Sequence, residues 1–166
     1  NKHGRKPKYW MLICNPTQWG NGTEQFEVNE LLKNLDQEAW KINDRTSMEL
    51  QMKQGDLGII KVSNDTRNEI NRMDDNGDMV PVLEAGIYAT FEVINDEDGE
   101  PTWEAEDDNF YVNIQVTNNL FKKKKNINKD TSIELLGKNL YSSIPSTKID
   151  KKVYETVLQY IDNNIG

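Results

Sequence analysis

The chain has 166 residues, enough to bury one hydrophobic core and too few for two, so residues 9–166 are expected to form a single domain behind a polar, disordered or foreign tail at 1–8. Its composition, 36% hydrophobic and 29% charged, is that of a globular protein. No apolar run approaches the ~20 residues that span a bilayer, and the polar start is unlike a signal peptide; no membrane partner and a cytoplasmic location are expected. A net charge of −8 disfavours unspecific attraction to phosphate, but its distribution matters. Eight acids (Asp96, Glu97, Asp98, Glu100, Glu104, Glu106, Asp107, Asp108) crowd one stretch, and the remaining 20 balance the 20 Lys and Arg.

In chain order, Tyr9 to Cys14 (YWMLIC) reads as a buried strand halted by Asn15 and Pro16. Val28, Leu31, Leu32 and Leu35 recur at helical spacing behind Thr23, which predicts a helix over roughly 24–36. Ala39 to Asn43 (AWKIN) alternates as a strand, and Ser47 to Gln54 reads as a short helix stopped by Gly55. Leu57 to Ser63 (LGIIKVS) is the clearest central strand. Residues 64–79 are a polar excursion in which only Ile70 and Met73 hint at periodicity. Gly86 to Ile94 (GIYATFEVI) and Phe110 to Val116 (FYVNIQV) are further strands on either side of the acidic stretch. Val153, Tyr154, Val157, Leu158 and Ile161 then form a helical stripe behind Asp150, a candidate N-cap. The sum is an α+β fold: a small curved or closed β-barrel of five to six strands with flanking helices.

Catalytic residues are scarce. A single cysteine, Cys14, sits in an apolar run, and the single histidine, His3, lies in the tail. Neither a histidine-centred triad nor a Cys/His zinc site is expected, and no cofactor. With 28 Asp and Glu, chance carboxylate pairs carry no weight.

The succession YWMLICNP, helix, AWKIN, KQGDLGIIKVS, AGIYATFEV, FYVNIQV resembles the EVE family of the PUA-like superfamily, over roughly residues 9–117. An aromatic-led first strand ending before Pro, a Trp-bearing strand after the first helix and a Gly-Asp turn opening a strand that ends in Ser carry the resemblance. The family is similar to YTH domains, which receive a flipped base. The resemblance therefore implies a base pocket walled by tryptophans and no catalysis. It places Trp40 and Trp103 as walls, Trp19 near the mouth, and Asn15, Pro16, Ser63, Asn64 and Asp65 at strand ends facing it. Each has a plainer alternative: Trp40 packs the core, Trp103 anchors a loop, Asn64-Asp65 forms an ordinary turn. Trp10, Tyr88 and Tyr111 are read as structural.

The chemistry suits the reading. A base leaving its stack loses a few kcal/mol, and stacking on an aromatic face returns about 1–3 kcal/mol. Asn15, Asn64 and Asp65 would fix the base edge, while Lys41, Arg45, Lys61, Arg67, Lys122 and Lys123 would meet phosphates. The implied function is a reader of methylated or hydroxymethylated bases in double-stranded DNA, as in modification-dependent restriction systems, fused to or associated with a nuclease or NTPase motor. The alternatives are an RNA-binding PUA-like module and a methylated-cation reader built on Trp103 and its acidic surroundings.

Overall fold

The computed structural model describes residues 6–18, 25, 27–42, 52–106, 110–137 and 148–165. Strands β1 (Tyr9–Cys14), β2 (Gln37–Ile42), β3 (Leu57–Val62), β4 (Gly86–Val93) and β6 (Phe110–Asn119) answer to the five runs expected from alternation. Three short strands join them: β5 (Thr102–Glu104), β7 (Ile127–Asn128) and β8 (Lys148–Ile149). The helices are α1 (Glu27–Lys33), α2 (Lys129–Leu136) and α3 (Lys151–Asn164). The sheet runs β2-β6-β4-β3-β1-β8, with β5 on β6 and β7 on β4. It is mixed, since β1 and β3 are parallel and the other pairs antiparallel. Among the described residues no pairing joins β2 to β8, so the sheet is open rather than a closed barrel.

Period-two alternation divides the core into two layers. On one face Trp10, Leu12 and Cys14 of β1 and Ile60 and Val62 of β3 meet Val28 and Leu32 of α1. On the other, Met11 and Ile59 meet Tyr154, Val157 and Ile161 of α3. Apart from Lys61 of β3, both central strands are therefore apolar on both faces, the pattern of a sheet covered on both sides. Asp150 occupies the N-cap position of α3, but its side chain makes no capping hydrogen bond. None of the described helices is long and apolar enough to cross a membrane.

Strand β4 changes phase partway. Ile60 pairs with Ala89 and Lys61 with Ile87, which leaves Tyr88 as the extra residue of a bulge. Ile87 accordingly faces α3, while Tyr88, Ala89 and Phe91 all belong to the α1 side. The bulge turns the Tyr88 hydroxyl toward the backbone, where it donates to the Glu84 carbonyl.

Gly58 marks the tightest packing. A Cβ there would overlap the Phe91 ring and the Trp10 carbonyl oxygen, and the carbonyl cannot move without breaking the β1–β3 ladder. Gly58→Ala is expected to cost about 1–3 kcal/mol by overpacking, read as a shifted urea midpoint with an unchanged slope.

Candidate nucleic-acid interface

Because β1 and β3 are parallel, their C-terminal ends leave the sheet side by side. Cys14 pairs with Val62, and the Ser63 amide donates to the Cys14 carbonyl at 2.9 Å. Asn15, Pro16, Ser63, Asn64 and Asp65 are thereby gathered at one end of the sheet. The Asn15 side-chain oxygen accepts from the Thr17 amide at 3.1 Å and opens a 3₁₀ turn at Pro16–Gln18. The hydroxyls of Thr17 and Thr66 lie 2.7 Å apart and tie the two loops together. Pro16 is buried, Asn15 and Ser63 are half-buried, and Asn64 is exposed.

Asp65 and Arg67 form the rigid base of this end. Their side chains are fully buried and meet at 2.6 Å. Asp65 also accepts from Arg67 Nε at 2.8 Å and from the Leu83 amide at 2.8 Å. Arg67 donates onward to the Gln25 carbonyl (2.6 Å) and to the Asn29 side-chain oxygen (2.9 Å). Burial alone would raise the pKa of Asp65, but hydrogen bonds from Arg67 and from the Leu83 and Arg67 amides outweigh it and hold the carboxyl below its usual range. Two expectations need revision here. Arg67 cannot meet a phosphate from inside the protein, and Asp65 holds Arg67 rather than a base edge.

One residue at this end was not singled out from the sequence. Gln25 is buried, and its Nε2 donates to the Thr17 carbonyl at 2.6 Å, which orients the amide. Its Oε1 is buried and has no hydrogen-bond partner among the described residues. A buried acceptor left unsatisfied costs about 1–3 kcal/mol, and such groups are rare in native proteins. Only the helix-flanking position of Gln25, close before α1, could have drawn attention to it.

Trp40 and Trp103 do not form one enclosure. Trp40 pairs with Val112, whereas Trp103 pairs with Tyr111, one residue along the same strand. Adjacent residues of a strand point to opposite faces, so the two indoles lie on opposite sides of the sheet. Trp40 is 7% exposed and sits in the core with Val112 and Ile114. Trp103 is 37% exposed and stacks on Tyr111 with ring centroids 4.7 Å apart, while its Nε1 donates to Asn113 at 3.2 Å. Trp19 and Arg45 lie outside the described residues.

Among the remaining cations, Lys41, Lys122 and Lys123 are exposed, and the last two lie in the turn after β6. Lys61 differs: it is only 2% exposed and shares the strand face of Ile59, toward α3. Burial, reinforced by the charge of Lys129, lowers its pKa from 10.5 to about 8. It too leaves the set of phosphate contacts. A depressed lysine pKa means that the folded state releases its proton before the unfolded chain does. The charge is therefore a burden at neutral pH that is relieved as pH rises from about 8 toward 10.5. We expect the stability of the native chain relative to Lys61→Met to improve between pH 7 and pH 9.5 or so, measured by thermal melts of both. Cys14, by contrast, is a core group whose thiol burial pushes up to about 12 despite Arg67 nearby, so it is no nucleophile.

No protein-family model matches the chain, and no curated protein matches it in sequence. Among solved structures, the human THYN1 protein in complex with 5-methylcytosine containing DNA is similar to it. The TM-score is 0.52 at 13% sequence identity, and the match covers 92% of this chain and 96% of that one. The fold is α+β, an open mixed sheet flanked among the described residues by three α-helices, and it matches the fold of that protein.

Proposed function

We propose that this chain reads a modified base, methylated or hydroxymethylated, in double-stranded DNA, and that it binds rather than catalyses. The observation that carries the reading is the polar end of the sheet. Asn15, Ser63 and Asn64 lie there beside a frame fixed by Asp65 and Arg67, and Gln25 holds a buried acceptor with no partner among the described residues. A DNA-bound protein of similar fold supports it. In this reading Asn15, Ser63 and Asn64 contact the base edge, Pro16 shapes the mouth, and Trp19, which follows the Pro16–Gln18 turn in sequence, stacks on the base. Lys41, Arg45, Lys122 and Lys123 meet phosphates. Trp40 supports the site from the core, and Trp103 contributes nothing to the same pocket. In its cellular setting the chain would be the specificity module of a modification-dependent restriction system, beside a nuclease or NTPase motor.

The deciding experiment is a fluorescence-anisotropy panel of short DNA and RNA duplexes, plain or carrying N6-methyladenine, 5-methylcytosine or 5-hydroxymethylcytosine, at two salt concentrations. Tighter binding to one modified DNA, with affinity falling steeply as salt rises, is expected. Equal, weak binding throughout would overturn the proposal. A second reading, recognition of a methylated cation, draws on the exposed Trp103–Tyr111 stack beside the acidic stretch. Trimethyl-lysine peptides in the same assay address it.

A further inference from the structure

Six large hydrophobic side chains are exposed among the described residues, and four of them belong to one excursion between β3 and β4: Ile70 (79%), Met73 (42%), Met79 (45%) and Val82 (58%). Exposed apolar groups scattered singly are ordinary; concentration on one projection marks an interaction surface. This projection is held in shape. Met73 and Met79 face each other in an antiparallel bridge, flanked by Val80 N donating to Arg72 O (2.8 Å) and Asp74 N donating to Asp78 O (2.7 Å). Those flanking bonds make Met73 and Met79 the closer, non-hydrogen-bonded kind of pair, with side chains together on one face. The tip turns on Gly77 at φ +80°, where the Asp74 side chain accepts from the amides of Asn76 and Asp78 at 2.9 Å. The stem is rooted in the buried Asp65–Arg67 pair and in Asn29, which donates to the Pro81 carbonyl at 3.1 Å.

Charge selects the occupant. Glu69, Asp74, Asp75, Asp78 and Glu84 lie in and beside the excursion, while Arg72 donates from Nη1 to the Val80 carbonyl at 2.7 Å. No lysine occurs between Lys61 and Lys122. Such a surface repels DNA phosphate and anionic lipid, and a second copy of the chain would set the same carboxylates against each other. A basic polypeptide satisfies both features, because methionine pairs adapt to varied apolar side chains and carboxylates select Lys and Arg. We propose that the hairpin at 68–82 docks a basic segment of a partner protein, anchored by apolar side chains between Met73 and Met79 and ringed by Lys or Arg. The inference does not rest on the base-reading function, although the hairpin shares the Asp65–Arg67 frame with that end of the sheet.

The test uses the full chain and three synthetic peptides: an amphipathic Lys/Leu peptide, its Glu/Leu counterpart and a Lys/Ser peptide without apolar anchors. Isothermal titration should detect the Lys/Leu peptide alone. Met73→Ser with Met79→Ser should weaken it at least about tenfold, as should Asp74→Asn with Asp75→Asn and Asp78→Asn. Glu97→Gln with Asp98→Asn and Glu100→Gln, in the other acidic loop, should leave it unchanged. Thermal melts check that each variant folds. Equal binding of the Lys/Ser peptide, indifference to the hairpin variants, or sedimentation showing a dimer abolished by the methionine changes would each overturn the proposal.

Discussion

Arg67→Ala is expected to lower the unfolding free energy by about 3–5 kcal/mol, the range for removing one member of a buried ion pair. The change would leave the Asp65 carboxylate buried beside the Leu83 amide without its counter-charge. It would also strip the Asn29 side-chain oxygen of its donor and leave the Gln25 carbonyl with only the longer bond from the Val28 amide at 3.4 Å. Asp65, the Gln25 carbonyl and Asn29 meet at this guanidinium, and the Leu83 amide binds its partner Asp65, so the loss spreads from the β3 exit to the start of α1 and the approach to β4. Arg67→Lys should rescue little, because one ammonium cannot reproduce a fork bonded to Asp65, Gln25 and Asn29 at once. Urea unfolding of the three proteins measures this; a cost below about 1 kcal/mol for the alanine variant would mean that water replaces the fork. The same pair sets an acid limb. Since the Asp65 pKa is lowered in the folded state, the pair's contribution is complete above the ordinary carboxylate range and is lost as pH falls through it toward the folded value. Asp65→Asn should accordingly start less stable and lose less on acidification.

How far the sequence revealed this arrangement depends on which kind of signal each residue carries. The main strands were legible because alternation and apolar runs are local. The helix α1 was legible from Val28 and Leu32, although it is shorter than its apolar spacing implied. The helix α2 was missed: its caps are present, with Asn128 accepting from the Thr131 amide and Gly137 at φ +95°, but its segment KDTSIELL buries only Ser132 and has no apolar stripe. Capping without a stripe does not separate a helix from a turn.

The site residues divide in the same way. That Asn15 and Ser63 lie at strand exits was visible in sequence, and only their adjacency needed the parallel β1–β3 pairing. The opposed faces of Trp40 and Trp103 depend on register between strands distant in sequence, which no local pattern encodes. Lys61 was misjudged on residue type, although parity within LGIIKVS already places it with Ile59 on a covered face. Arg67 and Asp65 look like loop charges, and their burial follows from the start of α1 and the approach to β4 closing over them.

The largest single loss should come from Asp56→Ala, at roughly 3–6 kcal/mol, because three buried or part-buried donors lose a charged acceptor at once. The Asp56 carboxylate is wholly buried. One oxygen accepts from the Lys8 amide at 3.0 Å, and the other from Trp10 Nε1 at 2.9 Å and the Lys53 amide at 3.0 Å. The turn that presents it needs Gly55 at φ +92°, with the Gly55 amide donating to the Val93 carbonyl at 2.9 Å. Asp56 thus joins the start of β1, the start of β3 and the end of β4, and it fixes the indole of Trp10 in the α1-side core. Asp56→Asn keeps one carbonyl oxygen but turns the other acceptor into a donor facing donors, so it should fall between the native chain and the alanine variant. Urea unfolding followed by circular dichroism gives the free energies. If asparagine proved as costly as alanine, acceptor count and charge would matter more than shape; if it were harmless, hydrogen bonding by a single oxygen would suffice to hold the β1 and β3 starts together.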